Sequence, residues 1–218
     1  MTDKVQATLT ISTQAERINW SPRSPHLPKA QLPKIAINGN PIVPPRGPFS
    51  PTGFQMVILD STQNPNNPSA ILLNQYVSVS PASEDSNNWT STYDFIYQTM
   101  RQNALTTGDI EQQTLILASF GLDRSMAPDT SALKMFLTYG AGGQLQLWET
   151  TADIGSQVVN STSWVSFPTN YILFGGSNLG YNQGIEVYAT SNQDPVKSNL
   201  TVPLGELLQK SGVKKAAG

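Results

Sequence analysis

The chain contains no cysteine, which excludes disulfides, Cys-ligated zinc and thiol nucleophiles together. Histidine is almost absent as well. The single one, His26, lies between Pro25 and Pro28. A Ser-His-Asp triad needs an imidazole held by a carboxylate and aimed at a hydroxyl, and metal sites of the common kinds need several His or Cys ligands. No Asp-x-Asp-x-Asp-Gly calcium loop is present. No catalytic residue, metal or cofactor is therefore expected, and the chain reads as a non-enzyme.

Charge is scarce too. Only 13% of residues are charged, against ~25% in ordinary soluble proteins. The formal net charge is −2, and the one basic cluster is Lys214-Lys215 in the tail. A nucleic-acid partner needs a positive field that neutralises phosphates, so none is expected. No stretch approaches the ~20 apolar residues of a membrane helix, and Met1 to Gln6 lacks the basic-then-apolar pattern of a signal peptide. The expectation is a soluble protein with no membrane span. Its compartment stays open between the cytoplasm and release as part of a particle.

What fills the sequence instead is Ser, Thr, Asn, Gln and proline. Amide- and hydroxyl-covered surfaces suit β-rich binding modules and assembling particles. At 218 residues the chain is long enough to bury a core without covalent staples. Nine of its 16 prolines fall between Pro22 and Pro51. Proline removes an amide donor and fixes φ, so this stretch is neither helix nor inner strand. It reads as an arm that lies over its own domain, links flexibly, or docks on a neighbouring subunit to make a homo-oligomer through residues 22–51. Within it, Lys34 to Asn38 followed by Gly39-Asn40 fits a short strand and turn. The expected organisation is residues 1–52 as an N-terminal strand and Pro-rich arm, 53–190 as the core, and 191–218 as an extension with a flexible tail.

Residues 5–12 alternate apolar and polar, the period of a half-buried strand. Phe54 to Leu59 and Ala70 to Val79 read as a hairpin around the turn residues Asn64 to Pro68. Trp89 to Ala104 has helical spacing. Thr114 to Phe120 is nearly all apolar, as in a strand covered on both faces. A helix is expected from Pro128 to Tyr139, closed by Gly140. Beyond it, strands are expected at Gln144 to Trp148, Tyr171 to Phe174 and Ile185 to Ala189. Thr150 to Phe167 reads as irregular, with one helical turn near Asp153. Gly140 to Gly143 and Gly175 to Gly180 read as tight turns, since neither has the strand-loop-helix context of a phosphate loop. The acidic pair Glu149 and Asp153 reads as surface charge.

Candidate binding residues fall in two places. Asp123 and Arg124 follow the apolar strand, where open sheets place binding groups, with a plain loop ion pair as the competing reading. Trp164, Tyr171 and Tyr181, with Asn170 and Asn178, supply rings and amides in one region. A ring covers the apolar face of a sugar while amides pair with its hydroxyls. Core packing is the competing reading for Trp164 and Tyr171.

The order of these elements resembles the interleukin-like EMT inducer (PANDER-type) domain family. The likeness rests on Gly53 to Asp60, the helix near Trp89 to Ala104, Thr114 to Ser119, Asp123, the helix Ala132 to Tyr139, Tyr171 to Gly176, and Glu186. It covers roughly Gly53 to Ala189. The chain departs from the family's secreted vertebrate members by lacking disulfides and a signal peptide. Phe167 to Asn170 stand where the family carries Arg-x-x-Trp, and 150–167 looks like an insertion. The resemblance implies an α+β fold, a mixed β-sandwich of ββα type with two or three helices, and a non-catalytic role. Related domains bind glycan in a glycosyltransferase stem, so it implies a carbohydrate-binding module, with a glycan or a protein as partner. The competing expectation is a structural protein that assembles through its Pro-rich arm.

Overall fold

The computed structural model of the chain describes residues 7–16, 31–45, 52–78, 98, 102, 113–122, 128, 130–158, 167–176 and 179–204. Nine strands and two helices are defined among them. The strands are β1 (Thr8–Ala15), β2 (Lys34–Ile37), β3 (Asn40–Pro41), β4 (Gly53–Asp60), β5 (Ile71–Ser78), β6 (Gln113–Phe120), β7 (Thr169–Gly176), β8 (Ile185–Thr190) and β9 (Val196–Pro203). The helices are α1 (Thr130–Thr138) and α2 (Gly143–Val158). This is a β-rich α+β fold of two antiparallel sheets, ordered β5-β4-β6-β7-β8 and β3-β2-β1-β9.

The five-stranded sheet is the middle layer. Met56, Leu117 and Leu173 lie side by side across β4, β6 and β7, and point toward Phe136, Leu145 and Trp148 of the helices. The alternate residues Val57, Ile116 and Phe174 are also in register, and face Leu9, Ile11, Ile35 and Val202 of the four-stranded sheet. Both faces are covered, so every residue of β6 and β7 is buried. Burying one Leu, Ile or Phe side chain contributes about 1.5–3 kcal/mol, which is why these strands carry continuous apolar runs rather than alternation.

The four-stranded sheet buries only one face, and its sequence alternates accordingly. In β1, Leu9, Ile11, Thr13 and Ala15 are buried between more exposed Thr8, Thr10, Ser12 and Gln14. β9 pairs with β1 along its whole length, from Thr8 opposite Pro203 to Ala15 opposite Val196. Segments read as an arm and an extension therefore meet in one sheet and close over the core. Lys34 to Ile37 forms the expected strand. Asn38 and Gly39 make its turn with φ of +49° and +79°, the left-handed region that Asn and Gly tolerate best.

Two expectations are corrected. Gln144 to Trp148 is helix, not strand, and the helix continues through Thr150 to Val158, where irregular chain was expected. The five residues Gln-Leu-Gln-Leu-Trp alternate and so imitate a strand. What decides for helix is the contact face: Leu145 and Trp148, three apart, are both fully buried against the sheet, whereas Gln146 and Leu147 are exposed. β9 was not anticipated at all. The expected helix over 89–104 lies outside the described residues except for Gln98 and Gln102, both helical. No described helix is long and apolar enough to cross a membrane.

Candidate functional site

Of the seven residues singled out from sequence, Asp123, Arg124, Trp164 and Asn178 lie outside the described residues, as does His26. Asn170 and Tyr171 are fully buried, which places them in the interior rather than on an exposed platform. Tyr181 is 54% exposed.

The interior pair has structural partners. Asn170 is on the sandwich side of β7, where its Nδ2 donates to the Val196 carbonyl at 2.8 Å and lies 3.5 Å from Ser198 Oγ, tying the middle sheet to β9. Its Oδ1 is buried and finds no donor among the described residues. Tyr171 is on the helix side, because successive strand residues face opposite ways. Its ring packs 5.2 Å from Trp148 and 6.1 Å from Phe136. Trp148 in turn stacks on Tyr188 at 5.7 Å.

The Tyr171 hydroxyl donates to Glu186 Oε1 at 2.6 Å, and Glu186 Oε2 accepts from the Gly142 amide at 2.6 Å. A carboxylate there offsets the positive end of α2 and satisfies one of the amides a helix start leaves without an intrahelical partner. Gly143 N–H reaches Asn182 Oδ1 at 3.4 Å. The Gly140 to Gly143 stretch thus joins α1 to α2 and is pinned to the β7–β8 turn, as two further bonds show. Gly184 N–H donates to the Gly140 carbonyl at 2.8 Å, and Asn182 N–H to the Ala141 carbonyl at 3.0 Å. Gly140 has φ of +95°, and a Cβ there would sit 2.7 Å from Gly184 N, so both conformation and space demand glycine. With Gly142 and Gly143 bonded internally, this turn anchors helix to sheet. Glu149 and Asp153 occupy successive turns of α2.

On the outer side of the same anchor sits an exposed platform. Tyr181 donates its hydroxyl to Gln146 Oε1 at 3.2 Å, fixing the ring against the exposed face of α2. Leu147, 47% exposed, is the next residue on that helix, and the exposed Asn182 and Gln183 follow Tyr181 in the turn. Sequence reading found Tyr181 but missed Gln146 and Leu147, because it placed them in a strand.

A second surface feature carried no functional signal in the sequence. A groove of about 290 Å³ opens between the β2–β3 turn and the β4–β5 connection. Its walls include Asn40, Asn66, Asn67 and Asn74 beside Ile42, Val43 and Pro65. The run Asn64 to Pro68 was legible only as a turn. At its base, Asp60 accepts from the Thr62 amide and hydroxyl at 2.9 and 2.6 Å and from Gln63 Nε2 at 2.9 Å. Burial alone pushes this carboxyl up, but the three hydrogen bonds outweigh it and hold the group below its ordinary value.

Compared with protein-family models and with curated proteins, the chain matches none of them.

Proposed function

We propose that the chain is a non-catalytic binding module that recognises carbohydrate on the Tyr181 platform. The observation that carries this reading is an exposed aromatic ring oriented by its own hydroxyl bond to Gln146, with exposed Leu147 next to Gln146 in the helix and exposed Asn182 and Gln183 next along the chain. A ring held in one orientation gives up little freedom when a sugar covers it, and neighbouring amides both donate to and accept from hydroxyls. Few charges surround it in sequence, which suits a neutral, hydroxyl-rich ligand. The resemblance to interleukin-like EMT inducer domains supports a glycan partner, and Asn178 and Trp164 are proposed as further members of the same surface. Asp123 and Arg124 remain a separate proposed contact.

The test is a glycan panel followed by titration of the best binder into wild type and Tyr181→Ala. Losing the stacking surface should weaken binding by about tenfold, equivalent to ~1.4 kcal/mol. Unchanged affinity in Tyr181→Ala would remove the platform from the reading, and an empty panel at high protein concentration would remove the carbohydrate.

A further inference from the structure

β9 ends the four-stranded sheet, and no described strand lies on its outer side. Which of its backbone groups point outward follows from two hydrogen bonds. In an antiparallel pair, residues bonded to the neighbouring strand alternate with residues that are not. Leu204 N–H donates to the Ala7 carbonyl at 2.8 Å, in the same register that sets Thr8 opposite Pro203. Val202, Leu200, Ser198 and Val196 therefore bond to β1, and the N–H and C=O groups of Lys197, Asn199 and Thr201 are turned outward. The second bond agrees. The Asn38 amide donates to the Thr8 carbonyl at 2.8 Å, which turns Thr8, Thr10 and Ser12 of β1 toward β2 and leaves the alternate residues for β9.

The outward row is short and bounded. Pro195 precedes it and Pro203 closes it, and neither has an N–H to give. Pro195, Lys197, Asn199, Thr201 and Pro203 are all exposed, whereas β5 and β8, the edges of the other sheet, are mostly half-buried. β8 packs beside β9, and there Ile185, Val187 and Leu200 are only half-buried on the core between the sheets. An edge that offers donors and acceptors next to partly wet apolar side chains is a template for another strand.

We propose that a second copy of this chain pairs with β9, antiparallel, about a twofold axis centred on Asn199. Asn199 then faces its own mate, and Lys197 of each copy faces Thr201 of the other. Every outward N–H meets a carbonyl across the axis, three donated from each side. Pro195 of each copy falls opposite Pro203 of the other, so the ladder ends where neither strand has a donor left to satisfy. Lys197 is the one charged residue of β9, and this register keeps it off its own mate, where like charges would repel. The contact is isologous and joins four strands from each copy into one sheet. β3, at the opposite edge, is only two residues long, so the sheet does not grow further from that side. The pairing does not depend on the sugar reading.

Light scattering of the full chain over a concentration series, with amide hydrogen exchange read by NMR at both ends of it, tests this. The expected mass rises from one chain to two and no further. The amides of Lys197, Asn199 and Thr201 should be protected in the dimer and lose that protection on dilution. Those of Ser198, Leu200 and Val202, bonded to β1, should keep theirs, and in any variant the same three show that the sheet is folded. Thr201→Lys sets two pairs of lysines opposite each other and should weaken dimerisation by about tenfold at low salt. Thr201→Glu should tighten it under the same conditions. A monomer at every concentration, or assembly that grows past two, would overturn the proposal. So would a dimer that responds alike to Thr201→Lys and Thr201→Glu. Protection of the three outward amides in the monomer would overturn it as well, because the chain's own residues would then cover the edge.

Discussion

The two sheets of this protein are built to different rules. The five-stranded sheet lies between a second sheet and a pair of helices, and its central strands carry long apolar runs, with Gln55, Ser119 and Asn170 as buried polar exceptions. The four-stranded sheet has one face to solvent and alternates. The first is assembled from residues 53–190, in an order close to that of the chain. The second joins strands from near both ends of the chain, with β1 and β9 separated by some of the longest sequence distances in the molecule. Composition reports the first kind of strand directly, because double coverage selects against polar residues that find no partner inside. The second kind hides among Thr, Ser and Asn, because half its positions face water.

Interior polar groups lie on both faces of the middle sheet. On the helix side, Tyr171 and Glu186 complete each other and the start of α2. On the sandwich side, Asn170 and Gln55 each satisfy their nitrogen and leave a buried oxygen without a donor among the described residues. Trp148 on the helix side likewise buries its indole N–H without an acceptor among the described residues, so each face of the middle sheet carries buried polar atoms left unpaired.

The largest effects should come from the helix side. Trp148→Ala removes a fully buried ring that touches both Tyr171 and Tyr188, and should cost about 3–5 kcal/mol in urea denaturation. Trp148→Phe should cost far less, because the indole N–H it deletes has no acceptor among the described residues. Next, Leu9→Ala in β1 should cost about 2–4 kcal/mol. If both sheets fold as one unit, that loss appears in a single transition. A separate early transition would show the outer sheet to be an appendage. Asn170→Ala, which cuts the bond to β9, should cost about 1–3 kcal/mol, read as a shift in denaturation midpoint at constant slope. Glu186→Gln should cost about 1 kcal/mol, since it keeps an acceptor for Tyr171 but removes the charge at the α2 start.

The smallest effect is a pH dependence at Asp60. Its carboxyl titrates below the ordinary value of 3.8. The folded state thus gains stability that is fully present above that value and disappears as pH falls through the lowered one. Asp60→Asn should flatten the acid limb of the stability curve slightly and lower stability by the same small amount at neutral pH, with least change at the acid end where the carboxyl is already protonated.

The candidate surfaces were legible to different degrees. Tyr181 stood out as an aromatic between Gly180 and Asn182, in a turn where a large ring has little core to enter. Tyr171 carries the same ring, but strand alternation directs it toward α1 and α2, and only the packing of those helices shows that it is enclosed. Gln146 and Leu147 were hidden by a five-residue alternation that fits two periods. The groove was hidden more completely, because its asparagines are scattered over 40–74 and only the fold brings them to one surface.

Local chemistry in the sequence determined the doubly covered strands, the glycine and asparagine turns, the helix before Gly140 and the lack of thiol and imidazole equipment. Each of these depends on one residue type or one short period. Tertiary structure alone decided that β9 closes on β1, that Gln144 to Val158 coils as helix, and that Asn40, Asn66, Asn67 and Asn74 line one groove. Those outcomes are set by burial and hydrogen bonding between residues far apart in the chain, and no window along the sequence contains both partners.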